Sequence, residues 1–394
     1  MSGSDRSYVG ITWDHPRGYN ALSEASRGLE KKDSPISVHW EKQSLEEFES
    51  RPIEDLCARY DLVVMDHPHL GAAVGRNCLQ PLNDWLPGDR IKRIARTSIG
   101  STFQSYYYEG KYWALPLDAA TQVMALRLDL LGSRSIPITW DEVLQLANNL
   151  SVVLSVGGPH ALVTFFSICV ALGEPPTSLD PAIVTSETTG GRALELMQEL
   201  TSRMSDPELD LNPIQISERM TQTDEVACCP LIYGYVNYAD PRAYQGKSLT
   251  FMGAPMAYKG GRHGSTLGGT GLAVSRRTRI CPELIEYLLW LVSDDAQRTL
   301  IPDFNGQPSA AAAWSDPDLN RRWNGFYKNT FETIQDAWIR PRHPGYIEFQ
   351  SEGSAIIRSG LRRGKSTGEM LQSLQDAYAR SHSLQNSSQV HPKT

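Results

Sequence analysis

The opening third of the chain alternates between two hydrophobic periods. Tyr8 to Trp13 (YVGITW) is rich in β-formers, and the turn residues Asp14-His15-Pro16-Arg17-Gly18 follow it. From Asn20 to Lys32 the spacing changes, with Ala21, Leu22, Ala25 and Leu29 falling on one face of a helix. Ile36 to Trp40 predicts a second strand, Leu45 to Arg51 a short helix, and Asp61 to Met65 a third strand. The third is an uninterrupted apolar run of the kind a sheet covered on both faces requires. It ends in Asp66-His67-Pro68-His69. This strand–helix–strand order predicts a parallel α/β sheet with right-handed crossovers.

Farther along, Arg90 to Gln104 predicts a helix, and Tyr106 to Trp113 a hairpin turning at Glu109-Gly110. Leu115-Pro116-Leu117-Asp118 leads into a strand running from Val123 to Leu126. Thr139 with Glu142 three residues on forms a capping box for the next helix. Helices are expected around 161–172, 190–204 and 213–223, and strands over Val226 to Tyr233, Ser248 to Met252 and Gly271 to Val274. Pro282 to Leu300 repeats Leu284, Leu288 and Leu291 behind an initial proline, predicting one amphipathic helix. Beyond Ser381 the chain turns Ser-, Asn-, Gln- and His-rich, which predicts a disordered tail.

Composition narrows the function classes. The 394 residues fit two domains of ordinary size, and 38 Lys+Arg against 45 Asp+Glu leave a net charge of -7. Such a surface does not suit phosphate backbones, so nucleic acid is excluded as main partner. The longest apolar stretch, Ala161 to Gly173, is too short to span a bilayer. The first residues place Asp5 and Arg6 ahead of a strand instead of an apolar leader. With six scattered cysteines and no CxxC pair, this predicts a reduced, cytoplasmic protein.

The candidate chemistry centres on an echo. Asp14-His15-Pro16 and Asp66-His67-Pro68 each follow a predicted parallel strand, and open α/β sheets bind ligands beyond the carboxyl ends of their strands. Asp and Pro are also common turn formers, so both readings apply to these turns. Asp14, His15, Asp66, His67 and His69 are acceptable metal ligands, but without a metal-binding spacing they predict no metal site. The glycine passage Lys259 to Gly271 lacks GxxxxGK[ST] and precedes a strand, so it reads as close backbone approach or a hinge, not a phosphate loop. No GxSxG, no dinucleotide GxGxxG and no kinase set occurs, so no cofactor is expected. Cys228-Cys229 sits in an apolar strand and reads as inert core. Aromatics such as Tyr106 to Tyr108, Trp113, Tyr233 and Tyr238 suit a cleft for sugars and other small organic molecules.

The segment Glu109 to Pro116 (EGKYWALP), Pro137 to Glu142 (PITWDE), Gly268 to Val274 (GGTGLAV) and the helix from Pro282 resemble the extracellular solute-binding protein family 1 over roughly residues 8–375. The Asp-His-Pro turns, Leu117 to Gln122 and Ala337 to Arg342 resemble a leaderless intracellular branch of it. The resemblance implies the periplasmic-binding-protein type II fold. That is an α/β fold with two lobes, each a mixed or parallel sheet flanked by helices, and a cleft between them. The N-terminal lobe is expected to combine 1–115 with 262–312, the second 116–261 with 313–380, with 381–394 as the tail. Ligand contacts are expected from Trp13, Asp14, His15, Arg17, Asp66, His67, His69, Asp118, Gln122, Tyr233, Gly268 and Gly269.

Three functions fit these expectations. One is an intracellular protein that binds a small organic ligand. Another is an enzyme or accessory of a biosynthetic pathway, with His15 or His67 moving a proton beside Asp14, Asp66 or Asp118. The last is the binding component of an ABC importer, which applies only to an exported chain. The sequence leaves catalysis open.

Overall fold

In a computed structural model, residues 6–32, 34–176 and 183–388 are described. The chain divides into two compact units. Unit 1 comprises Met1–Ala119 and Gly268–Leu319; unit 2 comprises Ala120–Leu267 and Asn320–Thr394. Among the described residues ten strands follow in chain order: β1 (Arg6–Trp13), β2 (Ile36–Gln43), β3 (Leu62–Met65), β4 (Leu79–Gln80), β5 (Tyr107–Tyr108), β6 (Lys111–Tyr112), β7 (Ala114–Leu126), β8 (Cys228–Tyr233), β9 (Thr250–Met252) and β10 (Leu267–Ser275). The fold class is mixed α/β, as the alternating periods predict.

In unit 1, β1 pairs parallel with β2 and with β3, while β10 runs antiparallel to β3 and to β4. The β3 run is buried on both faces because its residues alternate between two cores. Leu62 and Val64 join Trp13, Trp40, Leu284 and Leu288 on one side. Val63 and Met65 join Ile11, Leu56 and Tyr106 on the other. Gly10 serves the same packing, since a Cβ there would meet the Trp40 ring at 2.5 Å. The hairpin β5–β6 turns at Glu109 and Gly110, both at positive φ (47° and 80°), as a two-residue turn between twisted strands requires.

In unit 2, β7 pairs antiparallel with β8 and β9. The apolar run from residue 160 forms the helix His160–Ala171, every residue of which is buried. Helices Glu187–Thr201, Tyr346–Arg363 and Thr367–Ser388 pack against it or against one another. Phe165, Phe166, Met197, Phe349 and Tyr378 share its core. No helix among the described residues is long and apolar enough to cross a membrane.

Several expected elements are corrected. The turn at Asp14 to Gly18 is the start of helix Pro16–Lys31, with His15 as its N-cap and Pro16 at its first position. The helix expected over 90–104 spans Gly88–Thr97. It stops where the Ser98 hydroxyl bonds the Ile94 carbonyl (2.7 Å) and the Ser98 backbone turns extended to bridge Ala310. The helix expected over 282–300 breaks after Leu291, because Ser293 caps a new turn by accepting from the Ala296 N–H. Gly268, Gly269 and Thr270, expected to precede the strand from Gly271, lie inside β10. The tail expected to be disordered from 381 continues helix Thr367–Ser388; the rest of that segment, 389–394, lies outside the described residues.

Candidate functional site

Unit 1 collects most of the expected ligand residues along one edge of its sheet. β1 and β2 are in register from Arg6↔Ile36 to Trp13↔Gln43, and Ile11 pairs with Val63 of β3. The carboxyl ends of three parallel strands therefore emerge together, bringing both Asp-His-Pro sequences to the same edge. β10 enters from the opposite direction, with Gly271 opposite Met65, so Gly268, Gly269 and Thr270 extend past the end of β3 at that edge. Gly269 has φ +87°, a backbone that L side chains rarely adopt, which fixes glycine at this position.

The two Asp-His-Pro sequences do different work. In the first, His15 caps the helix, its Nδ1 accepting the Arg17 N–H at 3.1 Å. In the second, Asp66 is the cap and accepts the His67 N–H at 2.8 Å, opening the short helical turn His67–His69. The same carboxylate lies 3.1 Å from the His67 Nδ1. Asp14 is exposed and pairs with Lys42 at 2.8 Å. His67 and His69 are buried, and His67 meets the edge of the Tyr106 ring. Trp13 is clamped between Gly18 and Phe48, whose ring centroid lies 5.2 Å away. Arg17 lies over the Trp13 ring and binds Asp118 through Nε at 2.9 Å. Asp118 also accepts the Gln307 N–H at 3.3 Å. Both ends of that ion pair are buried, so Arg17 and Asp118 hold the strand-end region in place.

Burial, and then the positive charge of Arg17, lower the His15 pKa from its ordinary 6.5 to about 4. The ring is neutral at pH 7 and its Nδ1 is already an acceptor, so at neutral pH it carries no proton to donate from that atom. The acid–base role expected of His15 has no support in this geometry.

Three polar groups at this edge make no hydrogen bond among the described residues: both ends of the Gln43 amide, the Trp13 indole N–H and the Thr270 hydroxyl. Gln43 was missed by the sequence pattern, which ended the second strand at Trp40 where the structure carries it on to Gln43. Its one visible signal is the strand end itself.

In unit 2 the expected contacts separate. Gln122 is fully buried: its Nε2 donates to the Thr164 hydroxyl at 3.1 Å, and its Oε1 accepts from Ser167 at 2.6 Å. Ser167 in turn meets the Thr266 hydroxyl at 2.8 Å. The amide is spent on internal bonds. Tyr233, the last residue of β8, stands edge-on to His160, the first residue of helix His160–Ala171, at 5.9 Å. The Gly157-Gly158-Pro159 turn ahead of the apolar helix could have signalled His160. Cys228 and Cys229 are fully buried, and burial raises the Cys229 thiol to about 12, which leaves it inert.

Solved structures provide the comparison. An ABC-transporter solute-binding protein from Agrobacterium radiobacter K84, in complex with ribitol, superposes with TM-score 0.78 at 20% identity, covering 98% of this chain and 100% of that one. The GacH receptor of Streptomyces glaucescens, solved unliganded and with acarbose, gives TM-score 0.78 at 16% identity over 96% and 98% of the two chains. Maltose-bound MalE3 of T. maritima gives 0.74 at 17% identity, over 94% and 98%. The fold is that of the MalE-like solute-binding proteins. No family model matches the sequence. No curated protein matches it either.

Proposed function

We propose that this chain binds a small, neutral, polyhydroxylated organic molecule. The observation that carries the reading is the set of buried polar groups at one sheet edge of unit 1: the Gln43 amide, the Trp13 indole N–H and the Thr270 hydroxyl. Buried polar groups are ordinarily paired, and unpaired ones call for a ligand, water or ion. A polyol suits them, because each of its hydroxyls both donates and accepts. The neutral His15 and the internally matched Arg17–Asp118 pair add no net charge that would favour an ionic ligand. Structural neighbours solved with ribitol, acarbose and maltose support the same class.

In this reading Gln43, Asp66, Thr270 and the Gly268-Gly269 backbone supply polar contacts from unit 1. A cytoplasmic location belongs to the proposal, supported by six free cysteines. An ABC permease is a partner only of an exported form. Calorimetry against a panel of pentitols, hexoses and maltooligosaccharides, beside charged sugars and amino acids, tests the reading. Saturable binding of a neutral polyol is expected, weakened by Gln43→Leu and separately by Thr270→Val. Binding confined to charged compounds would overturn it.

A further inference from the structure

Cys57 and Cys78 are brought to one core cluster of unit 1 although twenty residues lie between them. Cys57 sits on helix Ile53–Arg59, and Cys78 immediately precedes β4. Two sets of contacts bring them together. On one side Arg76 pairs with Glu54 at 2.7 Å, tying the segment before Cys78 to the helix that carries Cys57. On the other, Ser275 pairs with Leu79 across the sheet while its hydroxyl donates to the Tyr60 carbonyl at 2.6 Å. The two residues share one core cluster, Cys57 within it and Cys78 packed against it. Cys57 is buried, whereas Cys78 is half-buried and reachable from solvent.

We infer that Cys57 and Cys78 form a reversible dithiol–disulfide pair, with Cys78 reacting first and Cys57 resolving. The asymmetry follows from the surroundings. Cys78 is the half-buried thiol that an oxidant reaches first, and its interaction with Cys57 lowers it below its ordinary value against the opposing effects of burial and Glu54, favouring the thiolate that acts as nucleophile. Cys57 is held well above the ordinary value by its interaction with Cys78 and by burial, and so it stays a thiol.

With hydrogen peroxide as oxidant, the Cys78 thiolate attacks one peroxide oxygen and the O–O bond breaks. This leaves a sulfenic acid on Cys78 and hydroxide, which takes up a proton as water. Cys57 Sγ then attacks Cys78 Sγ. The S–S bond forms, the S–O bond breaks, and the departing hydroxide leaves with the Cys57 proton as a second water. Two thiols and one peroxide yield one disulfide and two waters. A thiol reductant reverses the product through a mixed disulfide. The closed loop contains β3 and the whole Asp66 to His69 turn.

The test is intact-mass and peptide mapping of the full chain after hydrogen peroxide, with and without dithiothreitol, and with alkylation of the remaining thiols. A Cys57–Cys78 crosslink that dithiothreitol removes is expected, with Cys228 and Cys229 unlinked. Cys57→Ser should leave a dimedone-trappable sulfenic acid on Cys78, and Cys78→Ser none on Cys57. Wild-type protein whose Cys57 and Cys78 are both alkylated after peroxide would overturn the pair. So would Cys78 passing to sulfinic acid without a crosslink, or a crosslink through another cysteine. Sulfenic acid on Cys57 in the Cys78→Ser variant would overturn the order of attack.

Discussion

The Arg17 guanidinium, in the first turn of the helix after β1, donates through Nε to the Asp118 carboxylate in β7 at 2.9 Å, across 101 residues of sequence. Both side chains are about one-twentieth exposed. A pair so deeply buried is fixed by the cost of separating it more than by its own net strength. Removing one partner leaves a charge that neither water nor protein can neutralise, a loss of about 3–5 kcal/mol. Arg17→Met or Asp118→Leu alone is therefore expected to destabilise unit 1 by that order. The double variant, apolar on both sides, should recover much of the loss. Urea unfolding of the four proteins measures it, and a double variant as unstable as the sum of the singles would refute the account.

Two buried histidines make stability depend on pH. His15 is held at about 4, and His343 at about 3 by burial and then by the neighbouring His382. Both have an ordinary value of 6.5. Between 6.5 and these folded values the unfolded chain binds protons that the folded chain refuses. The stabilising contribution is therefore complete above about pH 6.5 and shrinks as pH falls, at about 1.4 kcal/mol per unit for each histidine. His15 stops contributing to the slope near pH 4 and His343 near pH 3. The denaturation midpoint should fall steadily from pH 7 to pH 4. His343→Gln should flatten that slope, and an unchanged slope would contradict the assignment.

The Asp-His-Pro echo shows how far the sequence reaches. A change from β to helical period locates a strand end, and adjacent βαβ units make their strands parallel, so both turns can be placed on one sheet edge from pattern alone. The roles of the individual residues were not legible. Whether the cap is His15 or Asp66 depends on backbone angles that two similar tripeptides do not encode. Gln43 lies beyond the strand predicted to end at Trp40, and Thr270 falls in the glycine passage; only register sets them beside Trp13 and past the end of β3. The break after Leu291 was missed because the leucine repeat that predicts the helix ends at Leu291 and the Ser293 cap restarts a helix beyond it. The glycine passage was read as close backbone approach, and Gly264 supplies a concrete case.

A Cβ on Gly264 would collide with the Ser167 carbonyl oxygen and with Ala171 of helix His160–Ala171. The first obstacle is backbone in a helix buried on every side, so it cannot yield as a flexible side chain would. Gly264→Ala should therefore destabilise unit 2 by about 1–3 kcal/mol or more, as overpacked sites do. Gly28→Ala, on the helix after β1 with open space around the new methyl, is the matched control and should be neutral or slightly stabilising. Thermal unfolding of both variants decides the point; equal midpoints would show that the strand beside Gly264 moves freely.

Gln43 and Gln122 are both buried glutamines, and opposite responses to the same substitution are expected of them. Gln122 makes two side-chain hydrogen bonds, to Thr164 and Ser167, so Gln122→Leu breaks a satisfied network and should cost about 1–3 kcal/mol of stability. The Gln43 amide makes none among the described residues and already bears the cost of desolvation. Replacing it with an apolar side chain of similar size removes that cost, so Gln43→Leu should leave stability unchanged or raise it. Under the proposed function the effects on binding run the other way. Gln43→Leu should weaken polyol binding by about tenfold or more, the equivalent of one lost hydrogen bond of about 1.4 kcal/mol. Gln122→Leu should leave affinity intact at temperatures where the protein stays folded. Unfolding and calorimetry on the two variants separate the roles. A Gln43 variant that loses stability without losing affinity would make that glutamine a structural residue like Gln122.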